Sequence, residues 1–435
     1  MKENMSKSWG ANRRSFLKST GAVVLGSTIG LNVGFQNPTF ARSKNTLKVG
    51  LIGCGGRGTG AASQALSADP DVVITAMADV FKDRLDESYD ILLKAHPDKV
   101  RVTNENKFVG FDAYRKVIES DVDVILLTTP PGFRPDHLTA AINAGKHVFC
   151  EKPVAVDAPG VRKVLAAAKI AKEKRLSLVS GFTFRYDDPK RALFGKVLGG
   201  EIGEIKTISS TRNGHGVWYK PRQPEWTEME YQMRNWYYYN WLSGDFIVEM
   251  IVHSLDMMSW AMGDKMPVKA TGSGGRQARV DEKFGNIYDH FAIEYDYENG
   301  AKGFNFCRQQ LGCSTRNTVE IAGTQGNAFI GGDVHKITGK NNWQYQGEKN
   351  DPYQTQHNEL FASIREGKPM NDGEIMTNST MLAILSRMVG YSGQTITWEQ
   401  AINSNQVLGP EFNQYRWDLN WPGPGVAIPG ITKVL

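Results

Sequence analysis

Through the first 185 residues, short apolar runs alternate with stretches whose apolar residues recur at helical spacing. Leu47, Val49, Leu51 and Ile52 make the first run, glycines follow at once, and Ala61, Ala62, Ala65 and Leu66 then mark one helical face. Residues 71–80, 121–131, 147–153 and 176–182 read as further buried strands, the third of these stopped by polar residues and the second by two prolines. Between them, residues 82–95, 111–119, 134–144 and 161–172 read as helices, with Gly145 in the position that favours glycine after a helix end. Strands alternating with helices predict a doubly wound parallel sheet, with ligands at the carboxyl ends of its strands. Gly53, Asp79, Thr129 and Lys152 all fall at such ends.

From Gly203 onward the pattern changes to strand-like runs separated by Gly, Asn and Asp turns, from IGEIKTISSTR to GNAFIGG. Strands in series predict a second, mainly antiparallel sheet. Three helices interrupt or follow it, at residues 246–262, 355–366 and 377–391. The expected organisation is a signal region (1–41), a Rossmann domain (46–185), an α/β domain (186–395) and a helix with an irregular tail (396–435). That tail, with Trp417 and Trp421, is expected to pack on a surface or a partner subunit.

Composition changes this picture little: 435 residues, 40% hydrophobic and 22% charged, suit a globular chain of two domains. The formal charge of +5 matters more for where it sits. Residues 1–41 carry a net +4 of it, so the remainder is nearly neutral and gives no reason to expect nucleic acid. Arg13-Arg14 within NRRSFLK, the apolar stretch 21–35 and Thr39-Phe40-Ala41 form a twin-arginine export pattern, cleaved or left as an anchor. A periplasmic protein without stable membrane insertion is the expectation, since the stretch is short and glycine-rich. Cys54 and Cys150 are expected near the ligand as thiols, while Cys307 and Cys313 either pair or stay free.

The candidate chemistry begins at the glycine loop. Gly53 permits a tight turn, Gly55 lets backbone approach a pyrophosphate, and Gly58 lets helix and strand pack closely. Gly56 and Arg57 complete that loop, and the helix N-terminus behind it favours an anion. Asp79 ends the next strand, where a carboxylate takes ribose hydroxyls and would repel a 2′-phosphate, so NAD is expected over NADP. Thr129, Pro130, Glu151 and Lys152 are expected around the same cofactor. A lysine at position 152 can reach both a nicotinamide ribose and a substrate hydroxyl; an exposed lysine at a strand end is the alternative. Glu249 and His253, four apart, would share a helix face, with Asp256 one turn on. Imidazole can take a hydroxyl proton as hydride leaves the same carbon, though a structural histidine fits the spacing too. A Glu/His pair without further ligands makes a poor metal site, and no metal is expected. Nine aromatic residues from Trp218 to Trp241 suit either a sugar pocket or a subunit interface; the first is favoured because they lead into the helix of Glu249.

Taken together, the glycine loop, TTPPGFRPDHLTAAINAGKHVFCEKP, GFTFRYDDP, GEIGEI and the helix bearing His253 and Asp256 resemble the Gfo/Idh/MocA oxidoreductases. The resemblance runs from about Thr46 to Gln394. It implies a Rossmann domain followed by an open-faced sheet that mediates oligomers, bound NAD(P), Lys152 in the active site and His253 as proton acceptor. The family's helix usually reads DxGxH; here Glu249 stands for the Asp and Ile251 for the Gly. Substrate contacts are expected at Arg185, Tyr239, Trp241 and Asp256.

The expected activity is hydride transfer between a carbohydrate (sugar, glycoside or polyol) and tightly held NAD, by a periplasmic homo-oligomer, dimer or tetramer. One alternative is an NAD-dependent glycoside hydrolase working by oxidation, elimination, hydration and reduction. Another is a non-catalytic sugar-binding protein that keeps the fold.

Overall fold

The computed structural model describes residues 45–435, so the twin-arginine signal lies outside the described residues. Six strands pair in parallel: β1 (Leu47–Ile52), β2 (Val72–Asp79), β3 (Lys107–Val109), β4 (Val124–Leu127), β5 (His147–Cys150) and β6 (Leu178–Ser180). Their order, β3-β2-β1-β4-β5-β6, is that of a Rossmann sheet. The apolar pattern misses β3, a three-residue edge strand with no buried member. Helices α1 (Gly56–Ala68), α2 (Lys82–Ala95), α3 (Ala113–Glu119), α4 (Arg134–Asn143) and α5 (Ala158–Glu173) link the strands. Val49, Leu51, Met77 and Leu126 pack under α1 and α2 on one face; Ala78, Ile125, Leu127 and Val148 pack under α3, α4 and α5 on the other. Both faces are therefore covered, which is why β4 is apolar and buried at every position.

After α6 (Asp188–Leu198), nine strands build a second sheet. They are β7 (Ile205–Gly214), β8 (Lys269–Gly275), β9 (His290–Asp296), β10 (Lys302–Gln309), β11 (Arg316–Gly323), β12 (Gly326–Gly331), β13 (Val334–Gly339), β14 (Trp343–Gln344) and β15 (Ile396–Thr397). The order is β14-β13-β12-β11-β7-β10-β9-β8-β15, antiparallel throughout except for the central β7–β10 pair. Buried and half-buried residues alternate strictly along β9, as expected of a sheet with one covered face. The connection from β7 to β8 carries α7 (Glu228–Arg234), α8 (Asn240–Ser243), α9 (Phe246–Glu249) and α10 (Val252–Ala261).

Two later helices tie the sheets together. The helix α11 (Pro352–Arg365) returns to pack on α1, placing Leu360 and Phe361 in the core of the first sheet. Its Arg365 meets Asp69 at 3.0 Å in a buried ion pair. The next, α12 (Gly373–Ser392), is buried nearly all round and packs against α5, α10 and β8. An organisation of two successive domains does not contain this return. The tail also comes back: Tyr415 stacks on Phe111 and Trp417 packs on Phe81 and Phe111. Among the described residues, no helix is long and apolar enough to cross a membrane.

Candidate active site

Where the carboxyl ends of β1, β2, β4 and β5 face α9, α10 and β7, they enclose a crevice of about 800 Å³. Its floor is the turn after β1. Gly53 has φ +99°, and a Cβ there would lie 2.8 Å from the backbone of Thr128. The Thr128 hydroxyl donates to the Gly53 carbonyl at 2.5 Å and pins the turn. At Gly58 a Cβ would overlap the Gly53 carbonyl oxygen, so α1 starts in contact with β1 only because this residue is glycine. Gly55 and Gly56 face open space, and bare backbone thus borders the crevice at a helix N-terminus. Asp79 lies at the end of β2 and accepts hydrogen bonds from the Cys54 and Phe81 amides at 2.6 and 2.9 Å. Burial raises its pKa above the usual carboxylate range, against the pull of those two donors. A dinucleotide fits these features: open backbone amides for its diphosphate and a placed carboxylate for its ribose hydroxyls.

Thr129, Pro130, Glu151 and Lys152 also line the crevice, as does Arg57, whose Nε lies 3.3 Å from Glu151. The Lys152 Nζ donates to Glu249 twice, to the main-chain carbonyl at 2.7 Å and to the carboxylate at 2.9 Å. Sequence spacing predicts one helix through Glu249 and His253, and the structure corrects this. The helix is interrupted at Met250 and Ile251, where the Phe246 carbonyl accepts from both amides, at 2.9 and 3.2 Å. Such a one-residue widening is a local π-type turn. Glu249 and His253 still meet in the crevice, one closing α9 and the other opening α10.

His253 is buried against Phe184 and Phe182, with ring centroids 5.0 and 6.0 Å away, and its Nδ1 has no hydrogen-bond partner. Burial holds its pKa well below the ordinary value, helped by the nearby charges of Lys152, Arg212 and Lys190. The imidazole is therefore neutral at pH 7 and able to accept a proton.

The four expected substrate contacts lie elsewhere. Arg185 grips Asp256 through Nε and a terminal nitrogen at 3.0 and 2.8 Å and reaches Asp264 at 2.6 Å. Asp256 is 1% exposed and also accepts from Ser379, so both residues belong to a buried ion network. Trp241 is buried, donating to Gln232 at 2.7 Å, and Tyr239 lines a separate shallow hollow beside Arg276 and Pro422. From the aromatic stretch it is Trp218 and Trp236, with ring centroids 6.2 Å apart, that reach the crevice wall. Phe184, Arg212, Lys220 and Tyr353 also line the wall and are not among the expected residues. Arg212 could have been found from its strand, since it continues the inward set Ile208 and Ser210; Tyr353, which comes from α11, leaves no local signal. All four cysteines are free, and no group of side chains suited to a metal occurs among the described residues.

Profiles of known families match two stretches of the chain. Residues 47–180 match an oxidoreductase family with an NAD-binding Rossmann fold, and residues 195–329 match the GFO/IDH/MocA C-terminal domain. The chain belongs to the Gfo/Idh/MocA oxidoreductase family. As a member it is an NAD(P)-dependent oxidoreductase, which sets aside the non-catalytic alternative. Curated relatives include the inositol 2-dehydrogenase of Rhizobium meliloti (strain 1021), 26% identical over 285 residues, spanning 65% of this chain and 74% of that one. A myo-inositol 2-dehydrogenase of Thermotoga maritima is 27% identical over 288 residues, spanning 65% of this chain and 75% of that one. Among solved structures, an aldose–aldose oxidoreductase from Caulobacter crescentus in complex with glycerol shares the fold. It has a TM-score of 0.64 at 17% identity and covers 81% of this chain and 100% of that one. A levoglucosan dehydrogenase in complex with NADH and levoglucosan matches with a TM-score of 0.63 at 18% identity, covering 81% and 100%.

Proposed function

We propose that this Gfo/Idh/MocA enzyme is exported and passes hydride between NAD and a ring or chain carbon of a sugar, sugar derivative or polyol. One observation carries the reading: a buried imidazole whose Nδ1 has no hydrogen-bond partner and the Lys152–Glu249 pair share a crevice with the glycine loop. The inositol dehydrogenases among its relatives support a polyhydroxy substrate. NAD, when bound, supplies the hydride acceptor. The Gly53–Gly58 loop would hold its diphosphate, and Asp79 its ribose hydroxyls, which supports NAD over NADP. His253 takes the hydroxyl proton as the C–H bond breaks, its burial keeping it neutral for that task. Lys152 directs a hydrogen bond at the same hydroxyl, and Glu249 fixes Lys152 through two acceptors. Trp218 and Trp236 offer ring faces to a sugar's C–H surface.

The twin-arginine pattern around Arg13-Arg14 supports export in folded form with the nucleotide aboard. Phe81 and Phe111, braced by Trp417 and Tyr415 at the Asp79 end of the crevice, support firm retention. The open face of the second sheet supports a homo-oligomer, dimer or tetramer, which light scattering would size.

The test is to refill the purified full chain with NAD and follow nicotinamide absorbance with a panel of sugars, uronates and inositols. NADH formation with at least one member is the expected result, and no change with any of them removes the reading. Nitrophenyl glycosides added to the panel separate the alternative: aglycone release without net NADH would make the enzyme a redox-neutral glycoside hydrolase.

A further inference from the structure

Among the described residues, three cations of the crevice wall have no carboxylate within 4.0 Å: Arg134, Arg212 and Lys220. Arg134 is buried and donates to the Pro153 carbonyl at 2.5 Å. Lys220 lies toward the Asp79 end, within the fields of Arg84 and Arg234. Arg134 and Arg212 both lie within the field of Glu249, but of the three only Arg212 also acts on His253.

Its place there follows from strand register. Ile208, Ser210 and Arg212 are the inward set of β7, and Arg212 comes where that face leaves the core and meets the crevice. One terminal nitrogen donates to the Met250 sulfur at 3.3 Å, a weak acceptor, while the other is shut from solvent with no partner. Glu249 is close enough to act on the guanidinium, yet its carboxylate is already engaged by Lys152. A guanidinium cannot shed its proton at any working pH, and holding one unpaired at a partly dry wall is costly. The counter-ion must therefore arrive with a ligand. The diphosphate of a dinucleotide would have its own partners in the open amides of the glycine loop, and Arg57 is paired with Glu151, which leaves the substrate. A planar guanidinium fork matches a carboxylate with two parallel hydrogen bonds.

We propose that the substrate carries a carboxylate, as in a uronic acid or a glycoside of one, and that Arg212 binds it beside His253. This rests on the oxidoreductase reading above and names the class of sugar it acts on.

The experiment uses the NAD-refilled full chain with D-glucuronate, D-galacturonate and their methyl glycosides, each against its neutral hexose partner, and with glucose 6-phosphate. Two readouts are taken: kcat/KM from nicotinamide absorbance, and Kd from titration calorimetry, which needs no turnover. At least one acid should exceed its neutral partner by about tenfold or more in both, as expected of charge-assisted bonds. Arg212→Gln should bring that ratio close to one, mainly through KM, and Arg212→Lys should restore part of it. Circular dichroism and thermal melting check that both variants fold. The proposal is overturned if every neutral sugar is bound as well as its acid, if Arg212→Gln keeps the preference, or if the sugar phosphate is preferred to the acids. The underlying reading fails differently, with sugars bound but no reduction of NAD by any of them.

Discussion

The two sheets of this chain make their contributions to one crevice in opposite ways. The six-stranded sheet is covered on both faces, so its strands are spent on packing and only their carboxyl ends are free to act. The nine-stranded sheet is covered on one face, and there an inward position can be given up to a charged side chain, as at Arg212. On the proposed reading, strand ends supply the cofactor side and Lys152, while a face and the helices lying on it supply the proton acceptor and the substrate wall. The division predicts that changes on the two sides separate cleanly into cofactor affinity and turnover.

The largest expected effect is on the helical side. His253→Ala should lower kcat by about 10²- to 10⁴-fold, the usual range for a lost general base, while NAD binds as before. Stopped-flow turnover and a fluorescence titration of NAD measure the two halves. Arg185→Ala should unfold the protein more readily by about 3–5 kcal/mol in urea, because it strands Asp256 in a buried site, with KM unmoved. A raised KM at full stability would return Arg185 to the substrate site. On the strand-end side, Gly58→Ala should cost about 1–3 kcal/mol, since the loop must move to clear the Gly53 carbonyl, and NAD affinity should fall with it.

Acid sharpens the comparison further. Burial lowers the pKa of His253 and, to about 3, those of His137 and His357. Below pH 6.5 the unfolded chain takes up protons that these folded imidazoles refuse, so stability falls as pH falls. Asp245, pushed up to about 6 by burial, works in the opposite direction between pH 6 and 4, because there the folded state holds its proton. The net expectation is a loss of about 1–3 kcal/mol per pH unit between pH 6 and 4, read from urea midpoints. The smallest effect expected is that of Glu249→Asp, which restores the family pattern but withdraws the carboxylate from Lys152 by one methylene. It should lower kcat/KM by less than about tenfold, with Glu249→Gln worse.

The same contrast explains what could be read from the sequence. The glycine loop, Asp79, and the Glu151-Lys152 step are contiguous with the strands that carry them, so local pattern reveals them. Face residues are not contiguous with anything that betrays them. Arg212, Trp218 and Tyr353 meet only because β7, the following loop and α11 converge. Arg185 and Asp256 show the opposite error, a charged pair near the motifs that turns inward to a network with Asp264 and Ser379. The helix through Glu249 and His253 was legible in outline but not in its interruption, because nothing in apolar spacing marks an extra residue in one turn.

The return of α11 bears on how the polypeptide is made. Leu360 and Phe361 complete the apolar layer under a sheet that begins at Leu47, so some three hundred residues must leave the ribosome before that layer can close. A truncated product ending near residue 185 would expose greasy surface and stick to itself rather than stand as a small nucleotide binder. Maturation is thus a property of the finished strand of amino acids.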